Sequence, residues 1–580
     1  MTSRHYAGIY PRWNDQIQTL NEAYTGYEYR QAHGFFAGVW NTLTKPAAMG
    51  TLHSLWAMLV FEVAGEPSRT AALAVNMLLF LAWQAALVGA LRRGTGSWTL
   101  GWMAIGLTLA LRCPWFGVQG SATDYRLDHA TMCMMGISLA AALQTRGLRS
   151  VGWSATFGAA VGVTLLTRFL SGTYFFLIFL GVAGWIALCG PERLRRSLNL
   201  GLAAVVAAAF FVPCLWVNRQ LVYEHYWIGH YYDADGALWI SHASLGEAVR
   251  NFWVQLGADQ LGAAFGLAAA AGLAVLAAGA LRSRDATQSA GTPARNTWAR
   301  ESAILGALFL AAPAIVLPLQ NQPFGVVLGV AVPGTLCLLL ALASSWRTKA
   351  GRGYRVAATG AALAIGAGYF VARQVEAPYD AGFMADNHRV KAVADRIFRT
   401  AQAGGIKEPQ IVVDRIADYF DAQILRVVCY ERRRIWMPFA IALPVGLSAI
   451  PEDTLMTQLA RGDFVLVTEA GPPGPWPYDR QTLAMRPKIL TWCEANLQLA
   501  ERFTVFGQQM ALYQRPDCQI PLRETGDELR QEHTGLPADA FRACSKHAPR
   551  PAQLWMEIGF NRPRPGPRGA FRPRTRPRHR

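Results

Sequence analysis

Residues 69–93 read RTAALAVNMLLFLAWQAALVGALRR, and from Ala71 to Leu91 no charged side chain interrupts them. A stretch of about 20 apolar residues is what a helix needs to cross a bilayer. The paired arginines Arg92-Arg93 then stop it abruptly. Working outward, comparable stretches recur, and the sequence predicts ten spans: 69–91, 97–113, 127–145, 151–168, 171–189, 199–218, 260–281, 303–320, 325–345 and 355–373. The composition agrees. Of the 580 residues, 52% are hydrophobic and 16% charged, against roughly 25% charged in soluble domains. A soluble, fibrous, disordered or disulfide-stapled chain is excluded; a polytopic α-helical membrane protein with a soluble end is expected.

The net charge of +17 is a matter of placement rather than a nucleic-acid signal. Eight arginines fall in the last 19 residues, interleaved with prolines. Such a tail cannot bury a core and is expected to be disordered. Elsewhere the loops alternate. One set holds Arg92, Arg93, Arg146, Arg149, Arg193, Arg195, Arg196, Arg282, Arg284, Arg295, Arg300, Arg347, Lys349 and Arg352. The other holds Arg126, Arg219 and Arg250, with Arg168 at a span end. Because basic loops stay in the cytoplasm, residues 1–68, 114–126, 219–259 and everything after about 374 are expected outside, on the periplasmic face of a bacterial inner membrane. The stretch 47–63 is apolar but contains His53 and Glu62, and it reads as an interfacial or re-entrant helix. An exterior start requires a signal or a preceding span, and MTSRHYAGIYPRW offers neither; a first span upstream is expected.

Charge beside a membrane is costly and asks for a reason. Two exterior segments stand out. One runs Arg12-Trp13-Asn14-Asp15-Gln16, then Asn21-Glu22-Ala23-Tyr24, then Lys45-Pro46; the other is Asp124-Tyr125-Arg126-Leu127-Asp128-His129. Asp124 and Asp128, four apart, share a face if that turn is helical. An edge network of ion pairs among Asp124, Arg126 and Asp128 is the alternative use of the same residues.

At these residues the chain resembles the GT-C superfamily, and within it the protein-mannosyltransferase-like branch that includes lipid A aminoarabinose transferases. The likeness spans about residues 9–375 and extends to Leu166-Thr167-Arg168 and to Tyr226-Trp227-Ile228-Gly229-His230. It implies a GT-C-like membrane domain that moves a sugar from a polyprenyl-phosphate donor to a glycan, lipid or protein acceptor on the exterior face. Asp15 then matches the general base, with Asp124 as a second catalytic acid. Lys45 and Arg126 match groups that hold the donor phosphate, and Asp128, Arg168, Tyr226 and His230 complete the substrate site. Where relatives often carry a second acid beside the first, this chain has Gln16. The resemblance implies no resident cofactor, and a divalent metal is not indicated by any ligand spacing. Partners are membrane lipid, donor and acceptor, without nucleic acid.

The physics of the residues is compatible. A leaving phosphate gains charge in the transition state, where cations favour it most, and a carboxylate can take the acceptor hydroxyl proton. One base with attack from the opposite face gives inversion at the anomeric carbon. In the loop 219–259, His225, His230, Asp233, Asp235 and His242 could be drawn as a metal site, but the crowd of Tyr and Trp fits an interfacial belt better. Gln320-Asn321-Gln322-Pro323 reads as a turn.

The organisation expected is 1–68 exterior catalytic loop, 69–375 membrane domain, 376–515 small exterior α/β domain, and 516–580 extension with the Arg/Pro tail. Within the third, 387–403 and 481–500 read as helices and 410–413, 464–467, 503–506 and 510–513 as strands, a segment expected to fold independently. Asp414, Asp418 and Asp421 read as a solvated helical face. Cys493, Cys518 and Cys544 offer one bridge if that end is exported. The competing functions are a transporter or flippase, which would place polar groups at the bilayer midplane, and a non-catalytic assembly factor.

Overall fold

Helix α1 (Asn14–His33) and the short α2 (Phe35–Thr44) turn about Gly34, whose φ of 90° favours glycine. The chain is seen here in a computed structural model that describes residues 14–516 except 116–119, 190–191, 224–225, 227–243, 283–292, 320–324, 348, 376–380, 407–408, 415–421, 435–438, 442–451 and 472–478. After α2 comes the apolar α3 (Leu52–Ala64), on the stretch read as interfacial.

The bundle follows: α4 (Arg69–Thr95), α5 (Trp98–Leu109), α6 (Leu127–Gln144), α7 (Val151–Thr167), α8 (Ser171–Cys189) and α9 (Arg193–Tyr223). Next are α10 (Leu245–Gln255), a π-helical turn (Leu256–Leu261), α11 (Gly262–Arg282), α12 (Pro293–Leu319), a 3₁₀ segment (Gly325–Ala331), α13 (Val332–Arg347) and α14 (Arg352–Val375). Every expected span falls on one of these helices. Seven helical stretches among the described residues are long and apolar enough to cross a membrane: 69–95, 171–188, 193–223, 245–282, 297–319, 327–347 and 352–374. Helices α5 and α7 are shorter. Helix α6 opens on Asp128 and His129 and is buried almost throughout. The chain is thus a multi-pass helical membrane protein.

Local chemistry sets the helix ends. Ser68 caps α4 by accepting from Ala71 N, Gly96 stops it in the left-handed region, and Ser97 at once caps α5. Small residues let the helices close up: a Cβ at Gly366 of α14 would lie 2.1 Å from the carbonyl oxygen of Gly106 in α5. One close approach positions the site. Thr51 N donates to Leu166 O at 3.0 Å and Phe169 N to Met49 O at 2.7 Å. A Cβ at Gly50 would meet Thr167 O at 2.2 Å. The segment before α3 is thereby stitched to the end of α7.

Beyond the bundle lie α15 (Ala381–Ala403), β1 (Ile411–Val413), α16 (Ala422–Arg433), β2 (Phe439–Ile441), α17 (Glu452–Arg461), β3 (Phe464–Ala470), α18 (Asp479–Asn496), β4 (Gln498–Val505) and β5 (Gln508–Gln514). The sheet order is β2-β1-β3-β5-β4. The first three strands run parallel, and β5 pairs antiparallel with β3 and β4. Side chains alternate as strand geometry requires. Val412, Val465 and Val467 pack with Leu455, Leu459, Ile489 and Cys493 under α17 and α18. On the other face Ile411, Val413, Phe464 and Leu466 share one apolar cluster with Ile397, Val428 and, from α1 and α3, Ile17, Leu20, Tyr24 and Phe61. The expectation of a self-contained 376–515 segment therefore meets a core continuous with α1 and α3.

Three local readings change. The helix expected over 481–500 ends at Asn496, and Gln498–Val505 form β4, because pairing with β5 outweighs a mixed local pattern. A further short parallel strand, β2, joins the edge of the sheet without a strand pattern in the sequence to mark it. Asp414 is not on a solvated face: it is 1% exposed, accepts from Thr468 N at 3.2 Å and pairs with Arg486 at 3.3 Å. Burial pushes its carboxyl up to about 6. Asp418 and Asp421 lie outside the described residues. Cys493 is buried and free, while Cys518, Cys544 and the Arg/Pro tail lie outside them.

Candidate active site

Three helix ends meet at one end of the bundle: the start of α4 at Arg69, the start of α6 at Arg126–Asp128 and the end of α7 at Arg168. Helix α1 lies across them. Gln16, in its first turn, donates from Nε2 to Asp124 Oδ1 and accepts at Oε1 from Arg69 Nη2 at 3.1 Å and Nε at 3.3 Å. The amide thus bridges a guanidinium that is 1% exposed to a carboxylate residue that is 7% exposed. Gly120 N donates to Asp124 Oδ2 at 2.7 Å. Asn76 Nδ2, from within α4, donates to the Asp124 carbonyl at 2.9 Å and to Ala122 O at 3.3 Å. Burial pushes the Asp124 carboxyl up to about 6, although Arg126 and the Gly120 N–H pull it down.

Asp124 and Asp128 do not share a helical face. Helix α6 begins at Leu127, and Arg126 precedes it in extended conformation (φ −91°, ψ 160°). The break lets each acid take different partners. Asp128 pairs with Arg168 and, at 3.4 Å, with Arg126 Nε, so of the two cations expected at the donor phosphate, Arg126 is engaged by this carboxylate together with Arg168, while Lys45 is not part of the pair. Tyr174 and Tyr226 lie within electrostatic reach of Arg168. Between the acids, Tyr125 stacks on His53 at 4.2 Å between centroids and donates to the His53 carbonyl at 2.8 Å. That contact ties the acidic loop to α3.

A second polar group lies where α1, the segment after α2 and α3 face one another. Glu22, Thr42, Lys45, Pro46, Ala47, Thr51 and Ser54 line a cavity of about 10 Å³, roughly the room one water needs. Ser54 Oγ donates to Glu22 at 3.3 Å. Ala47 N donates to Asn218 Oδ1 at 2.7 Å, anchoring the Lys45-Pro46 segment to the end of α9. Burial raises the Glu22 pKa, partly opposed by the Lys45 charge. Burial likewise lowers that of Lys45, opposed by Glu22, while Arg426 of α16 pushes the same way as burial. Helix α16 is held against α1 by Tyr24, which donates to Glu431, and by Tyr430, which donates to Glu28.

The structure therefore gathers Asp124, Arg126, Asp128 and Arg168 into one cluster and places Lys45 beside Glu22 in another. Asp15 sits in the first turn of α1, next to Gln16 and two turns before Glu22, and its side chain lies outside the described residues. His230, with His225, Asp233, Asp235, His242 and the 320–323 turn, also lies outside them. Among the described residues no group of three His, Cys, Asp or Glu side chains is placed to hold a metal ion. Glu22 and Arg69 join these clusters although the local sequence pattern assigns neither a role in the site, Arg69 standing only as the end of a span. For Glu22 a signal existed, since Asp15 and Glu22 are seven apart in one helix.

No family model matches the chain, and no curated protein matches it. Seven chains of solved structures do match. One is the crystal structure of ArnT from Cupriavidus metallidurans in the apo state, 14% identical, with a TM-score of 0.41, over 87% of this chain and 93% of that one. At that identity no residue role transfers from it.

Proposed function

We propose that the protein is a membrane glycosyltransferase that moves a sugar from a polyprenyl-phosphate donor to a hydroxyl acceptor on the exterior face, with inversion. The observation that carries this reading is the gathering of acids and cations at one end of the bundle, at helix termini, with Lys45 and Glu22 around a small cavity beside them. A transporter would place such groups near the midplane, and a structural edge network has no need of a lysine held next to a carboxylate with reduced hydration.

In this account Asp15 takes the acceptor proton as its oxygen attacks the anomeric carbon. The bond from that carbon to the phosphate oxygen breaks, and the polyprenyl phosphate leaves. Lys45 meets the phosphate, whose charge grows as the bond breaks, so its effect is greater in the transition state than in the ground state. Asp124, held by Gln16 and the Gly120 N–H, orients donor or acceptor hydroxyls. Arg126 and Arg168 keep Asp128 charged and add positive potential along the phosphate's approach, and Tyr226 and His230 belong to the substrate loop.

Binding of a polyprenyl phosphate without sugar tests this directly. The purified full chain should bind it, and Lys45→Ala should weaken that binding about tenfold or more while the melting temperature stays within a few degrees. Equal binding by Lys45→Ala and wild type would remove Lys45 from the donor site.

A further inference from the structure

At the opposite end of the bundle, where α8 runs into α9, four arginines stand near two glutamates. Three of the arginines are committed. Arg149 lies 3.3 Å from Glu192 and 3.0 Å from Glu301, and Arg195 lies 3.2 Å from Glu192. Arg196 lies 3.9 Å from Glu301, with its guanidinium 5.6 Å from the Trp185 ring. Arg193 has no acidic or hydrogen-bonding partner among the described residues, and neither has the hydroxyl of Ser197, one turn further along α9. Both line a groove of about 670 Å³ between α8 and α9 whose remaining walls are mostly apolar, including Phe176, Leu180, Ile186 and Gly201.

We propose that this groove binds an anionic glycerophospholipid, its phosphate on Arg193 and Ser197 and an acyl chain along the apolar floor. The shape and chemistry agree with such an occupant. Spacing of i and i+4 puts the guanidinium and the hydroxyl on one face, and arginine suits a phosphate's oxygens. Four arginines against two glutamates leave the rim positive, which favours a lipid of net negative charge over a zwitterion. The donor is a poorer fit. In the function proposed above its phosphate lies at the Arg168 end of α8, and that helix, 19 residues long, sets the two ends about 28 Å apart. By the basic-loop pattern the groove's mouth is cytoplasmic.

Native mass spectrometry of the purified full chain with an equimolar mixture of dioleoylphosphatidylglycerol and dioleoylphosphatidylcholine tests this. The glycerol lipid should be retained about fivefold over the choline lipid, the ratio matching ~1 kcal/mol for one basic residue at an anionic lipid. Arg193→Gln should bring the ratio close to one. Gly201→Leu should reduce retention of both lipids by filling the floor, and it is sterically open, since a Cβ there meets nothing within 4 Å. No preference in the wild type, or an unchanged preference in Arg193→Gln, would overturn the proposal. So would full retention of both lipids by a folded Gly201→Leu.

Discussion

Asp124 and Asp128 are four residues apart and comparably buried, at 7% and 6% exposure, yet they are built for different work. Asp128 is held between two arginines, which satisfies a buried charge and locks the start of α6 to the end of α7. Asp124 receives an amide and a backbone N–H, and its carboxyl stays nearly poised between its two protonation states, at about 6. What separates them is the extended Arg126, after which the helix starts at Leu127, so that Asp128 lies in its first turn and Asp124 three residues before it. A carboxylate saturated by cations stabilises; one held by neutral donors remains responsive.

The comparison breaks most visibly in stability. Asp128→Asn leaves two guanidinium groups without their carboxylate and should cost about 3–5 kcal/mol, the range for removing one partner of a buried pair. Asp124→Asn keeps an acceptor for the Gly120 N–H and should cost about 1 kcal/mol. Denaturation in detergent measures both, and equal losses would erase the distinction.

Sugar transfer should show the reverse order among variants that fold. Asp124→Asn should lower turnover about tenfold or more, within the range of acid–base and positioning groups. Arg168→Lys, which keeps a charge for Asp128 without the planar fork, should mainly lower stability. Initial rates per folded molecule separate the two cases.

A smaller effect appears in pH. The folded pKa of Asp124 lies above its unfolded value of 3.8, so the folded state holds the proton more tightly between about 4 and 6. Its contribution is present below about pH 4, is lost as pH rises through about 6, and is flat above. Asp124→Asn should shrink that decline in stability but not remove it, because Asp414 is shifted the same way, to about 6. The double variant with Asp414→Asn should shrink it further, the remainder including Glu22, which burial shifts in the same direction. Persistence of the full decline in the double variant would show that neither group titrates as described.

Much of the fold was open to reading because apolar runs report their surroundings directly. The stretch from Ala71 to Leu91 admits hardly any other use, and the short unbroken apolar run Phe464-Val465-Leu466-Val467 marks a strand buried on both faces. What sequence could not supply is partnership across long separations. Gln16 meets Asp124 over 108 residues, and nothing local to either predicts it. Arg69, at a span end, looks like an interfacial anchor until Gln16 and Thr123 O are placed around it. Asp414 reads as solvated because helical spacing links it to Asp418 and Asp421, but it ends a buried strand whose neighbour, Thr468, is 54 positions away. Three-residue β2 follows Pro438 and is too short to announce itself, so only pairing with β1 defines it.

The proposed role of Asp15 as the base of a transferase site at the α1 end of the bundle is open to one direct measurement. The direct measurement is single-turnover sugar transfer from the polyprenyl-phosphate donor by purified full-length Asp15→Asn, alongside donor binding. The amide keeps the side chain's size but not its basicity. Transfer should fall by roughly 100-fold or more while donor affinity stays within about twofold. Transfer at the wild-type rate by folded Asp15→Asn would contradict the account and move the search for the base to Asp124.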